Sequence, residues 1–128
     1  MMSCNKSMVG TVAEVLIHEG RLEDTALVPT LVPELAASAW GDATVRDVLD
    51  MVVSMVFHED YMVPDSDVWK VVRASGMAPL GPDDPPTIAD FLPSVKKDGA
   101  HGTTFAYREP NIFKRTKLRL CKNVKKES

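Results

Sequence analysis

The chain has 128 residues, 45% of them hydrophobic and 26% charged, with a net charge of −3. That make-up suits one globular domain with a real core and argues against disorder for the bulk of the chain. No apolar run approaches the roughly 20 residues needed to cross a bilayer. The N-terminus carries no basic segment, apolar run and small-residue cleavage site in succession, which favours the cytoplasm.

In chain order, Met8, Val9, Val12, Ala13, Val15, Leu16 and Ile17 predict a helix over Ser3–Glu19 that is buried on more than one side. Ser3 suits its N-cap, and Gly20 suits a left-handed residue at its end. The first turn holds Ser3-Cys4-Asn5-Lys6. A Ser-x-x-Lys spacing turns both side chains to roughly one side of a helix. A desolvated lysine amine can take the proton of a serine hydroxyl and make it a nucleophile. The same spacing is a signature of penicillin-recognising serine enzymes. The free N–H groups of a helix start also favour developing negative charge. A capping serine followed by an ordinary lysine would look the same, so the tetrapeptide alone leaves both readings open.

Residues 21–43 predict an irregular connection, broken by Pro29 and Pro33 and ending in a Trp40-Gly41-Asp42 turn. Thr44 opens a second predicted helix, TVRDVLDMVVSM, with Asp47 completing a capping box and Val45, Val48, Leu49, Val52, Val53 and Val56 as a broad apolar face. The polar loop FHEDYMVPDSD follows, then a short helix over Val68–Ala74, which Asp65 and Asp67 are expected to cap rather than to bind a cation. After a proline-rich loop, Thr87 and Asp90 start another short helix, TIADFLPSV, and 96–111 is loop. With no internal repeat and no run of alternating strands, the fold class is mostly α with long structured loops.

Cys4 and Cys121 sit near opposite ends without CxxC or Cys/His spacing, and His18, His58 and His101 lie far apart, so neither a disulfide scaffold nor a metal site is indicated. Charge breaks sharply at Asn111. Residues 1–111 hold 8 Lys and Arg against 17 Asp and Glu, a net −9, whereas residues 112–128 hold 7 against 1, a net +6. The expected division is a domain over 1–111 and a basic tail over 112–128. One short cluster without aromatic interleaving argues against nucleic acid as its partner.

Several segments in order resemble one family: SxxK-S, LIHEGRL, ATVRDVLDM, EDY, P-x-[ST]-D-x-W, FLPSxxKxGxHG and FAYxxxN, from Ser3 to Asn111. The chain resembles the β-lactamase-related serine hydrolases, in the branch of aminohexanoate-oligomer hydrolases and carboxylesterases near class C β-lactamases. The resemblance implies the helical subdomain of a β-lactamase-like α/β fold, with the flanking sheet strands largely missing. It implies Ser3 as the acyl-accepting nucleophile, Lys6 as its proton acceptor, and Tyr107 as the group that passes the proton to the leaving group. Tyr61 and Asn111 would face the substrate, a small-molecule amide or ester. No cofactor is implied. The family's third box, Lys or His followed by Ser/Thr and Gly, has no counterpart in residues 108–128. The expectation is therefore a truncated hydrolase, weakly active or inactive alone, that self-associates through exposed apolar helix faces. The alternatives are a small helical interaction module with a basic tail, and a gene remnant without activity.

Overall fold

The computed structural model describes residues 4–108 and Pro110. Helix α1 runs Cys4–His18. Gly20 ends it with a φ of 69°, and the Leu16 carbonyl accepts from the N–H groups of Arg21 (2.9 Å) and Leu22 (3.1 Å). Such a left-handed terminus favours glycine, because any other residue would bring its Cβ against the following carbonyl. Ser3, the expected N-cap, lies outside the described residues.

The expectation of burial on several sides is corrected. Lys6, Ala13 and Leu16 are buried and Val9, Gly10 and Ile17 half-buried, which is one stripe at helical spacing. Met8, Val12 and Val15, on the other side, are 63%, 51% and 50% exposed. The described residues pack against a single face of α1. Arg46 ties that helix down: its guanidinium donates to both Glu14 oxygens (2.6 and 3.2 Å) and to Asp24 (3.2 Å), and it lies 3.5 Å from Asp50.

Residues 21–43 are more regular than expected. Pro29 stands in the first turn of α2 (Val28–Leu31), and Pro33 begins a 3-10 turn, Pro33–Leu35. A proline's fixed φ and missing N–H are no handicap where a helix starts, so here the prolines open turns instead of breaking them. Residues 24–28 run antiparallel to 43–46, with Val28 N–H on the Ala43 carbonyl (2.8 Å) and Val45 N–H on the Ala26 carbonyl (2.9 Å). Gly41 lies in the Trp40–Asp42 turn, where an added Cβ would run into the Ala36 carbonyl oxygen.

Helix α3 spans only Val45–Leu49, well short of the expected 44–55. Its capping box is as predicted: Thr44 accepts from the Asp47 N–H, and Asp47 accepts from the Thr44 N–H (2.8 Å). The helix stops because Met51 turns left-handed, at φ 58°, and because Val53–Phe57 prefer an extended path. Val53, Met55 and Phe57 are buried while Ser54 and Val56 are not, a period of two. Of the valines read as a helical face, Val45 and Val48 lie in α3, whereas Val53 is on the inward and Val56 on the outward side of an extended segment.

Helices α4 (Asp67–Ala74) and α5 (Ile88–Phe91) pack together, and a 3-10 turn, Leu92–Ser94, follows. Thr87 caps α5 by accepting from the Asp90 N–H at 3.3 Å. The core gathers Val28, Leu35, Trp40, Val45, Val48, Val53, Met55, Val68 and Leu92, with Phe57 edge-on to Phe91 at 6.4 Å. Among the described residues there is no strand, only isolated antiparallel bridges at Leu27–Thr44 and Met55–Lys97.

Candidate functional site

Of the five candidate residues, Ser3 and Asn111 lie outside the described residues, and the other three fall on two regions. Lys6 is placed by the first turn of α1. It belongs to the buried stripe and is only 7% exposed. Tyr107 comes from a segment without regular structure, yet the two side chains meet. The Lys6 ammonium donates to the Tyr107 hydroxyl and stands 3.8 Å from the ring centroid. This contact joins residues 101 positions apart. A cation against a tyrosine face is attracted by the ring quadrupole, more so where water is excluded. Tyr107 itself is 49% exposed, so one side of the pair is open to a ligand.

Tyr107 reaches Lys6 because residues 96–108 are laced laterally onto the extended segment after α3. Val56 N–H bonds the Lys96 carbonyl (2.8 Å), Gly102 N–H the Val52 carbonyl (3.0 Å), and Ala106 N–H the Met51 carbonyl (2.9 Å). Ser54 Oγ donates to the Asp98 carbonyl, and Arg108 to the Met55 carbonyl. The left-handed turn at Met51 aims its carbonyl at Ala106, next to Tyr107.

The sequence reading passed over His101 and Asp42. The His101 side chain, 8% exposed, accepts the Ser54 N–H at Nδ1 (3.0 Å). Its Nε2 meets Asp42 Oδ1 at 3.0 Å, and the other Asp42 oxygen takes a bond from Lys97. The Lys97 ammonium, outweighing partial desolvation and helped by His101, holds the Asp42 carboxyl below the usual carboxylate range. The available signal was the His-Gly pair in the string FLPSxxKxGxHG, weighed there only as a metal ligand. Among the described residues no group of His, Cys, Asp and Glu could hold a metal ion.

Tyr61 lies on the loop before α4, 57% exposed, with its hydroxyl 3.3 Å from Glu59. The P-x-[ST]-D-x-W string holds that loop. Ser66 Oγ donates to the Asp60 carbonyl (2.6 Å), and Asp67 accepts from the His58 N–H (3.0 Å) and faces its ring (3.1 Å). The Trp69 indole N–H donates to the Tyr61 carbonyl (3.1 Å), with the two rings edge-to-face at 6.3 Å. The expectation that Asp65 and Asp67 cap α4 is corrected: Ser66 occupies the N-cap position, and Asp67 turns back to His58. Burial pushes the Asp67 carboxyl up, but its bonds from His58 and Lys70 outweigh this and leave it below the ordinary value. A separate open hollow of about 330 Å³, lined by Asp65, Arg73, Leu80 and Asp84 among others, holds none of the candidate residues.

The described geometry therefore unites Lys6 and Tyr107 at a partly open surface and places Tyr61 on a separately braced loop. A family model, Beta-lactamase, matches residues 1–113. The chain belongs to that family. Among curated proteins it is 39% identical over 111 residues to the 6-aminohexanoate-dimer hydrolase of Paenarthrobacter ureafaciens, a match covering 87% of this chain and 28% of that protein. Among solved structures it is similar to a putative 6-aminohexanoate-dimer hydrolase from Bacillus anthracis, with a TM-score of 0.79 and 24% identity, over 96% of this chain and 32% of that one. The fold expectation holds: a mostly helical part of a β-lactamase-like fold, related to hydrolases of that family. The chain spans about a third or less of the relatives it matches. No helix among the described residues is long and apolar enough to cross a membrane.

Proposed function

We propose that the chain carries the nucleophile side of a serine hydrolase site that cleaves an amide or ester of a small molecule through an acyl-enzyme at Ser3. The observation that supports this most is the contact of buried Lys6 with half-exposed Tyr107, the two groups such chemistry needs as proton carriers. Ser3 Oγ attacks the substrate carbonyl carbon while Lys6, acting as the neutral amine, takes the hydroxyl proton and becomes the ammonium. The proton then passes through Tyr107 to the leaving nitrogen or oxygen, whose bond to carbon breaks, leaving an ester at Ser3. Water cleaves that ester and restores the serine hydroxyl. The Ser3 N–H would donate to the oxyanion, with Tyr61 and Asn111 on the substrate side. The identity to a 6-aminohexanoate-dimer hydrolase favours an amide over an ester as the substrate class.

Intact-mass measurement after incubation with a fluorophosphonate tests this. One adduct is expected, absent in Ser3→Ala, and labelling at least about 100-fold slower in Lys6→Met, the usual scale of a lost general base. A folded chain that takes no adduct would overturn the proposal.

The outer stripe of α1, Met8, Val12 and Val15, supports a second reading, self-association of the chain through this face. Contiguous exposed apolar side chains are a common mark of an interface. Sedimentation should show a concentration-dependent dimer that Val12→Glu shifts to monomer. A monomer at all concentrations would refute it.

A further inference from the structure

We propose that His101 is a positioning residue, the pin that holds Tyr107 over Lys6; this rests on the hydrolase reading for its use in catalysis. The segment that presents Tyr107 has no regular structure and cannot hold itself in place. Most of its lateral bonds join it to the extended segment after α3 alone. His101 is different, because its ring links three separate stretches of chain. Its Nδ1 accepts the Ser54 N–H on the extended segment after α3, and its Nε2–H donates to Asp42 in the turn behind Trp40. The ring is almost wholly covered, whereas the side chain of His58, which also faces an aspartate, is 74% exposed. Since an amide N–H can only donate, Nδ1 must be the accepting nitrogen and the ring proton sits on Nε2.

The groups around the pin are arranged to keep it there. Lys97 takes the second oxygen of Asp42, so the carboxylate is fixed from both sides. Ser54 is engaged twice, by its N–H to His101 and by its hydroxyl to the Asp98 carbonyl. Gly102, next to the ring, turns left-handed at φ 78°, and Asp47 Oδ1 lies 3.7 Å from where a Cβ would stand. Five residues on from His101, the Ala106 N–H reaches Met51, and Tyr107 follows directly. Moving His101 would therefore move the tyrosine relative to α1.

Two substitutions separate the two bonds of the ring. In His101→Asn the side-chain oxygen replaces Nδ1 and keeps the Ser54 bond. In His101→Gln the side-chain amide replaces Nε2 and keeps only the Asp42 bond. The full chain is followed by NMR, through the ring-current shift of the Lys6 methylene protons and through exchange of the Gly102 and Ala106 amides. Fluorophosphonate labelling is measured in parallel. Tyr107→Ala defines the Lys6 shift without the ring. His101→Gln should lose most of that shift, exchange both amides at least tenfold faster and label at least tenfold more slowly. His101→Asn, which keeps the Ser54 bond but not the Asp42 bond, should recover most but not all of each. If His101→Gln does not fold, Asp42→Ala, a change at an exposed side chain, should still give a smaller loss of the same shift. Unchanged Lys6 shift and amide exchange in the folded variants would overturn the positioning role. A wild-type chain that takes no label, yet shows the shift and its loss, would instead overturn the hydrolase reading and leave the pin standing.

Discussion

Two loops of this molecule each carry a candidate tyrosine, and they are held in opposite ways. The Tyr61 loop is braced from nearby: Ser66, Asp67 and Trp69 reach back 6 to 9 residues to Asp60, His58 and Tyr61. The Tyr107 segment is braced from afar, by Ser54, Met51 and Asp42, across 44 to 59 residues. Local bonds close small loops at little entropic cost and form early, whereas distant ones depend on the rest of the fold being in place. The tyrosine that meets Lys6 is the one held by distant bonds. Its geometry is thus a property of the whole domain, while that of Tyr61 belongs mainly to one loop and one helix.

The comparison breaks if a change far from Tyr107 leaves it untouched. Gly41→Ala is expected to have the largest effect. Its new Cβ meets the Ala36 carbonyl, with the Ser38 carbonyl oxygen at 3.2 Å, so the Trp40–Asp42 turn must shift. Overpacking of this kind costs about 1–3 kcal/mol. Denaturant unfolding should show that loss, and amide exchange should rise over 102–106 while 58–63 stays unchanged. Equal disturbance of both loops would mean they form one unit.

Trp69→Phe sharpens the other side. It keeps a ring against Tyr61 but removes the indole donor to the Tyr61 carbonyl, a loss of about 1 kcal/mol. Faster exchange is expected for 60–63 alone, read by the same experiment. Spread of the effect to Ala106 would contradict local bracing.

The smallest effect is shared. Asp42 and Asp67 each brace one loop, and both carboxyls sit below their ordinary value of 3.8. A carboxylate with a depressed folded pKa adds stability that is present above the ordinary value and lost as pH falls through the lower folded one. An acid titration from pH 5 to 2 should therefore loosen both loops below about pH 4, judged against that reference value. Asp42→Asn should flatten the response of 102–106 only, and Asp67→Asn that of 58–63 only. A response of either loop that the matching substitution leaves intact would assign the pH dependence elsewhere.

Residues whose structure depends on near neighbours were legible in the sequence. The Thr44–Asp47 box, the Thr87 cap, the extent of α1 and its glycine stop all follow from spacing within a few residues. The resemblance supplied the candidate site, and the structure brings two of its five residues, Lys6 and Tyr107, into contact. The two largest misreadings share one cause. Val52, Val53 and Val56 fit a helical face as well as an extended segment with alternate residues buried, and only pairing with residues 96–98 decides for the second. The exposed face of α1 was misjudged for the same reason, since seven apolar positions cannot say which of them will find a partner.

By itself the sequence determined the extent of α1 and its glycine stop, the Thr44–Asp47 and Thr87 caps, the charge break at Asn111 and the family to which the chain belongs, because these reside in local spacing and in strings of residues. Tertiary structure alone decided where α3 stops, which face of α1 is covered, and that His101 bridges Ser54 and Asp42. Each of those depends on groups more than thirty residues apart, whose meeting is set by packing and by the need to pair buried polar atoms.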